Sequence, residues 1–295
     1  MDLLNDLKST LRSGDNLAKL LIVNIAVFVL VNLVYMVGFL MGVPNALVSD
    51  KILSWLAVPA SLDLLLFKPW TVITYMFLHE EFLHILFNML MLYWFGKIFM
   101  TYLDHKKLVR VYILGGLTGA FFYILAYNLF PAFESVLTVS SALGASAAVL
   151  AIVIAIAAYE PNYRINLLFI GPVKIGYFAL FCVLIDLLSI RSGNAGGHIA
   201  HLGGAAYGYL FGRSMARGKD ISAGFAGIFD WFKGLFKRKP KMKVTSSRPM
   251  SDYDYNRARY ERQQEVDRIL DKIAKAGYDS LSKEEKEFLF TQGKQ

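Results

Sequence analysis

The stretch GGHIAHLGG, residues 196–204, sets two histidines, His198 and His201, between glycine pairs at the head of an apolar segment. A titratable ring in a hydrocarbon environment is expensive and by default marks a functional site. The reading of the chain turns on two questions. Does this segment lie in a membrane, and which histidine has a partner there?

The bulk numbers answer the first. Of 295 residues, 56% are hydrophobic, and the mean hydropathy is +0.44. An ordinary soluble domain of this length is less apolar, so a polytopic membrane protein is expected. The single cysteine, Cys182, lies in an apolar run and excludes an internal disulfide framework. The net charge of +8 is concentrated in the C-terminal quarter. Beside membrane spans, a basic excess points to anionic lipid headgroups rather than nucleic acid. The N-terminal MDLLNDLKSTLRSGDN is polar and amphipathic and reads as no cleavable signal.

Six segments approach the ~20 apolar residues of a bilayer-spanning helix, at about 19–41, 80–100, 108–130, 140–158, 174–190 and 198–216. Loop cations orient them. Lys8, Arg12, Lys106, Lys107, Arg110, Arg164, Lys174, Arg213, Arg217 and the basic tail fall on one side; Lys51, Lys68 and Arg191 fall on the other. Both termini are therefore expected to be cytoplasmic, with the even-numbered helices entering from outside. The first external loop, about 42–79, carries the apolar ILSWLAVPASLDLLLFKPW and must be covered by lipid or protein. After the sixth span, FAGIFDWFKGLFKRKPKMK (225–243) reads as an interfacial amphipathic helix, and VTSSRPMSDYDYN as a polar linker. EVDRILDKIAKAGYDSLSKEEKEFLF (265–290) reads as a helical hairpin. Ile269, Leu270 and Ile273 form its stripe, Gly277 stops the first helix, and Ser282 with Glu285 forms a capping box.

The polar residues inside spans carry the chemistry. In LHEEFLHILFN (78–88) the spacing of His79 and His84 is one residue too long for a zinc-protease motif; on a continuous helix the rings lie ~140° apart and share no metal. His198 and His201, three apart, are read as hydrogen-bonded groups rather than metal ligands. His84 and Asn88 share one helix face; alone they are adequately explained as interhelical hydrogen bonders. In SSALGASAAV (140–149) the small residues, Gly144 among them, alone suggest close packing.

Common depth changes this. Ser146, His201, His84 and Asn88 are placed a few residues into three helices that all enter from outside, so all four fall within the outer ~12 Å of the bilayer. A nucleophile, a base and amide or imidazole donors at one depth are what serine-dependent acyl transfer needs. Gly204, Gly208 and Gly212, four apart, let the sixth helix approach the fourth closely enough for imidazole and hydroxyl to meet.

HILFN (84–88), GAS (144–146) and AHLGG (200–204) with its following glycines together resemble the rhomboid family of intramembrane serine proteases. PWTVITYMFLH (69–79) and YILGGLTG (112–119) are similar to it too, so the resemblance covers about residues 20–216. It implies an all-α, polytopic, six-transmembrane-helix bundle that cleaves substrate transmembrane segments near the outer face through a Ser-His dyad. Ser146 would be the nucleophile and His201 the general base. His84, Asn88 and the Ser146 N–H would stabilise the oxyanion. No cofactor, metal or nucleic acid is expected; the partners are transmembrane substrates and the bilayer, with anionic lipid on the basic tail.

The expected plan is a cytoplasmic segment (1–18), a protease domain (19–216), an interfacial helix and linker (217–262) and a small cytoplasmic helical hairpin (263–295). The hairpin resembles an extension of some bacterial members, which implies a bacterial inner membrane. Three positions depart from the family's pattern: Ala147 in place of glycine, Leu150 in place of an aromatic, and Met100 in place of glutamate. Asp186, near the end of the fifth span, is read as an interfacial group or hydrogen-bond anchor rather than a third catalytic member. His198 is read as a cap, entrance-lining or loop-bonding residue. The alternatives are an inactive rhomboid-like protein that binds membrane clients, and a transporter, which lacks its expected mid-membrane breaks. Deletion after Lys219 is expected to spare activity.

Overall fold

The computed structural model describes residues 15–167, 170–191, 193–225 and 252–292, with Ser9 and Gly227. The chain forms two compact units, one to Phe236 and one from Lys237.

Among the described residues, the first unit is built on six principal helices: α1 (Asn16–Leu40), α5 (Phe82–Tyr102), α6 (His105–Leu129), α7 (Ser146–Tyr159), α8 (Ile175–Ser189) and α9 (Ala195–Ala216). Between α1 and α5 lie α2 (Asn45–Leu56), α3 (Leu62–Phe67) and α4 (Thr71–Thr74). Asp15 caps α1 by accepting from the Ala18 N–H at 2.8 Å, and Asp104 caps α6 by accepting from Lys106 and Lys107 N–H groups at 2.8 and 2.9 Å. These side chains satisfy orphan donors where the helices begin. By length and composition α1, α5 and α6 can each cross a bilayer, whereas α7 and α8 are apolar but only 14 and 15 residues long. At 1.5 Å per residue these two reach about 22 Å, less than the ~30 Å hydrocarbon core. The chain is a polytopic all-α membrane protein.

Helix α7 lies at the centre. Residues Ala147 to Ala157 are all buried, as an all-round apolar helix of Ala, Val, Leu and Ile requires. Glycines on two neighbours clamp it. A Cβ at Gly204, Gly208 or Gly212 of α9 would lie 2.1, 2.3 or 2.2 Å from the carbonyl oxygen of Ala147, Ala151 or Ala155. On α6, a Cβ at Gly119 would meet the Ala147 methyl at 2.7 Å, and one at Gly115 the Ala151 methyl at 2.3 Å. Only hydrogen atoms fit at these crossings, and backbone-to-backbone packing replaces side-chain interdigitation. The perimeter is the opposite: Leu30, Val34 and Leu40 on α1 and Leu180, Leu184 and Leu188 on α8 face outward. Such a belt suits lipid, not water.

Among the described residues, two short antiparallel ladders interrupt the helices. β1 (Val58–Pro59) pairs with β2 (Ser141–Ala142), and β3 (Arg164–Leu167) pairs with β4 (Gly171–Lys174) in the connection before α8. Neither carries an alternating run long enough to announce itself in sequence. The loop at 42–79 is largely helical, with an aromatic lock. Trp55 and Trp70 stack at 5.7 Å, the Trp70 indole N–H donates to the Trp55 carbonyl at 2.9 Å, and Lys68 lies over the Trp55 ring. Leu66 and Phe67 stay exposed, as expected of a loop seated against the bilayer. Glu80 ties it down, accepting from Tyr35 at 2.7 Å and Ser49 at 2.9 Å.

The second unit holds α10 (Asp252–Ala276) and α11 (Lys283–Gln292), so the first hairpin helix starts earlier than residue 263. Gly277, at φ +78°, turns the chain out of α10. The capping box forms: Ser282 N–H donates to Glu285 at 2.8 Å, and Glu285 N–H to the Ser282 hydroxyl at 3.2 Å. Ile269 is buried, but Leu270 is half exposed and lies off the packed stripe. The expected interfacial helix at 225–243 lies outside the described residues apart from Phe225 and Gly227, as does the N-terminal segment before residue 15 apart from Ser9.

Candidate active site

Ser146 opens α7 rather than lying six residues inside it. The segment before it is held extended: Ser141–Ala142 pair with Val58–Pro59, and the Gly144 N–H donates to the Tyr75 carbonyl at 2.8 Å. Gly144 then turns at φ +121°, where L residues with a Cβ are strained. The serine is thus delivered at a helix N-terminus, where the first N–H groups have no intrahelical acceptor and the local field favours negative charge.

His201 Nε2 lies 2.6 Å from Ser146 Oγ. The approach follows from the glycine face of α9, because Gly204 rests directly on Ala147, the residue after Ser146. On the far side of the ring, His201 Nδ1 lies 2.8 Å from Asp186 Oδ1. His198 Nδ1 lies 2.8 Å from the same oxygen. Asp186, on α8, is buried, and it joins both histidines. Along the sequence alone it stands apart from the serine and the histidines. Geometry instead aligns Ser146, His201 and Asp186 as a hydroxyl–imidazole–carboxylate chain, with the carboxylate also the hydrogen-bond anchor expected of it. The available signal was depth: α8 ends on the side where α5, α7 and α9 begin, so a carboxylate near its end sits level with the histidines. His198 is no cap, since the Asn194 side chain caps α9 by accepting from the Gly197 N–H at 3.1 Å.

His84 and Asn88 face the serine from α5. The point a Cβ on Gly144 would occupy lies 3.0 Å from His84 Nε2 and 3.7 Å from Ser146 Oγ. Glycine there leaves the imidazole beside the hydroxyl; any side chain would push between them. Asn88 is buried, and its amide donates one N–H to the His84 carbonyl at 2.9 Å, leaving a second N–H on the same nitrogen. His79 behaves differently from the continuous-helix expectation. Helix α5 begins only at Phe82, so the chain bends between the two rings and brings them into edge contact at 5.1 Å. His79 is fully buried. Its Nε2 accepts a long 3.4 Å contact from the Ala145 N–H, and burial with the neighbouring His84 pushes its pKa down to about 4.

These groups open onto a cavity of about 440 Å³ between α5, α7, α8 and α9. Ser146, His201, His84, Asn88 and Asp186 line its polar end, and Phe87, Met91, Val153 and Phe181 its apolar walls. The three departures fall in different places. The Ala147 methyl fits against Gly119, Leu150 lines the cavity, and Met100 packs on the core at the far end of α5, about 24 Å along the helix from His84. The cavity can present a nucleophile, a base and several N–H donors to a carbonyl group entering from the apolar side.

The Rhomboid domain family matches residues 67–218, which include every one of these side chains. A family of unknown function (DUF6576) matches residues 251–291, the tail hairpin. Among curated proteins, the RHOMBOID-like protein 12, mitochondrial, of Arabidopsis thaliana is 31% identical over 158 residues, 50% of this chain and 47% of its own length. The Rhomboid protein 1, mitochondrial, of Saccharomyces cerevisiae is 30% identical over 140 residues, 46% of this chain and 39% of its own length. The chain therefore matches less than half the length of either relative. With more than half of its residues inside the family's domain, this chain belongs to the rhomboid family.

Proposed function

We propose that this protein is an intramembrane serine endopeptidase that cleaves transmembrane segments near their outer ends. The observation that carries the reading is the 2.6 Å contact between His201 Nε2 and Ser146 Oγ. His201 Nε2 takes the hydroxyl proton as Oγ attacks the scissile carbonyl carbon. For Nε2 to accept, the ring must carry its proton on Nδ1, and the 2.8 Å contact to Asp186 holds that tautomer. The oxyanion receives hydrogen bonds from His84, the free N–H of Asn88 and the backbone N–H of Ser146. Each such donor can lower the barrier by ~3 kcal/mol. The imidazolium then protonates the leaving amine, and water attacks the acyl-enzyme with His201 again as base.

A peptide bond inside a helix is shielded by its own hydrogen bonds, so the substrate must unwind to reach Ser146. Segments with Gly, Pro or small polar residues near the outer face are the expected class. The first-unit helices form the protease domain, with both termini on the side rich in Lys and Arg. The curated relatives are mitochondrial; placement in a bacterial plasma membrane rests on the tail hairpin alone.

A serine-reactive fluorophosphonate tests the reading. Wild type should be labelled, and Ser146→Ala and His201→Ala should not. Equal labelling of wild type and Ser146→Ala would refute it, and a folded but unlabelled wild type would favour a client-binding role.

A further inference from the structure

The proposed dyad uses one of the two histidines on Asp186 and leaves His198 without a task. His198 does not touch Ser146, yet it shares a carboxylate oxygen with the catalytic base at the same 2.8 Å. One ligating atom each from Asp186, His198 and His201 lies within 4.8 Å of the others. The side chains are 10%, 20% and 23% exposed, so the cluster is sheltered but reachable from the surface.

We propose that Asp186, His198 and His201 form an inhibitory zinc site, resting on the reading of His201 as the base. Two imidazole nitrogens and a carboxylate oxygen with an open fourth position are a zinc ligand set. Calcium and magnesium prefer all-oxygen cages and do not compete. Small ring rotations open the 2.8 Å contacts toward the ~3.3 Å separation of ligands around a tetrahedral ion. The chemistry balances without a net proton. Without metal, both histidines donate Nδ1–H to Asp186, and His201 Nε2 accepts from Ser146. Zinc occupies the lone pair of each Nδ1, and each Nδ1 proton moves to Nε2 through water. The His201 nitrogen facing Ser146 then carries a hydrogen, cannot take the hydroxyl proton, and has lost Asp186 as its partner. The enzyme is shut while its fold and serine are untouched.

The test uses tag-free full-length protein in detergent and zinc chloride as the probe. Equilibrium dialysis of Ser146→Ala should give one zinc per chain, and adding His198→Gln should weaken binding at least about tenfold. Glutamine keeps an amide N–H donor for Asp186 but is a poor zinc ligand. With wild type, micromolar zinc should slow fluorophosphonate labelling at least about tenfold, EDTA should restore it, and calcium and magnesium should do nothing. His198→Gln should label without zinc and need at least about ten times more zinc for the same inhibition. Absence of stoichiometric zinc on Ser146→Ala, or equal zinc sensitivity of His198→Gln and wild type, overturns the proposal. Zinc bound with labelling unchanged overturns its inhibitory part. Failure of the protease reading is separate: wild type then fails to label without zinc, while dialysis still judges the metal site.

Discussion

At the scale of single residues, the site is held by contacts with little slack. In the proposed reaction Asp186 carries no chemistry itself, but its contact with Nδ1 decides which nitrogen of His201 is free to act as base. Asp186→Asn preserves size and replaces an acceptor with an amide that can present its N–H to Nδ1, favouring the wrong tautomer. Labelling should slow by about 100- to 10,000-fold with little change in thermal stability, read from probe kinetics beside a melting curve. Gly144→Ala should be more severe than its one methyl suggests. It strains a residue at φ +121° and sets a carbon 2.8 Å from His84 Cε1. Labelling should be lost, whereas the same change at Gly42, which also has positive φ but an open surrounding, should leave it intact. His79 gives a pH signature. Its pKa is about 4 in the fold and ~6.5 in an unfolded chain. Between those values the unfolded state binds a proton that the folded state refuses, so stability falls as pH drops from about 6.5 toward 4. In wild type the melting temperature should fall across that window, and in His79→Gln the fall should be shallower.

At the scale of elements, α7 is too short and too smooth to hold itself in place. It depends on the glycine faces of α6 and α9. Glycine to alanine inside a helix ordinarily stabilises by about 1 kcal/mol. At Gly208 the sign should reverse, because the new methyl would stand 2.3 Å from the Ala151 oxygen. Gly208→Ala should destabilise by about 1–3 kcal/mol in denaturant titrations and reduce labelling by separating His201 from Ser146. In the tail hairpin, Glu285 joins α10 to α11. Hydrogen bonds from Lys272 and from the Ser282 N–H hold its carboxyl below the ordinary glutamate range. A depressed carboxylate stabilises the fold above the unfolded pKa, and that contribution disappears as pH falls through the lower folded value. Amide protection in α11 should therefore hold from neutral pH down to the glutamate range and drop below it, and Glu285→Gln should lack that drop.

At the scale of the molecule, the two units divide the chain near Phe236. A cut after Lys219 would remove Asp220, which pairs with Arg110 at 3.4 Å, and the buried Ser222. The structure therefore moves the test of the tail. Truncation after Phe236 should retain probe labelling, while truncation after Lys219 should lower the melting temperature. A stable Phe236 truncation that no longer labels would assign the tail a part in activity.

The amino-acid sequence by itself determined the membrane class, the six apolar segments and the four polar side chains worth following, because hydropathy and helical spacing are local properties. It also determined the glycine stripe and the capping box, which depend on intervals of three and four residues. It did not reveal where α7 starts, because Ser146 is placed by the pairing of 141–142 with 58–59 and by the turn at Gly144. Nor did it reveal that His79 bends back onto His84. The partnership of Asp186 with His198 and His201 also belonged to the tertiary structure. A hydrogen bond between α8 and α9 depends on how two helices rotate about their axes, and rotation is set by packing against α7, not by any interval along the chain. The two histidines of GGHIAHLGG follow the same rule: spacing makes them look alike, and only the fold sets one of them against a serine.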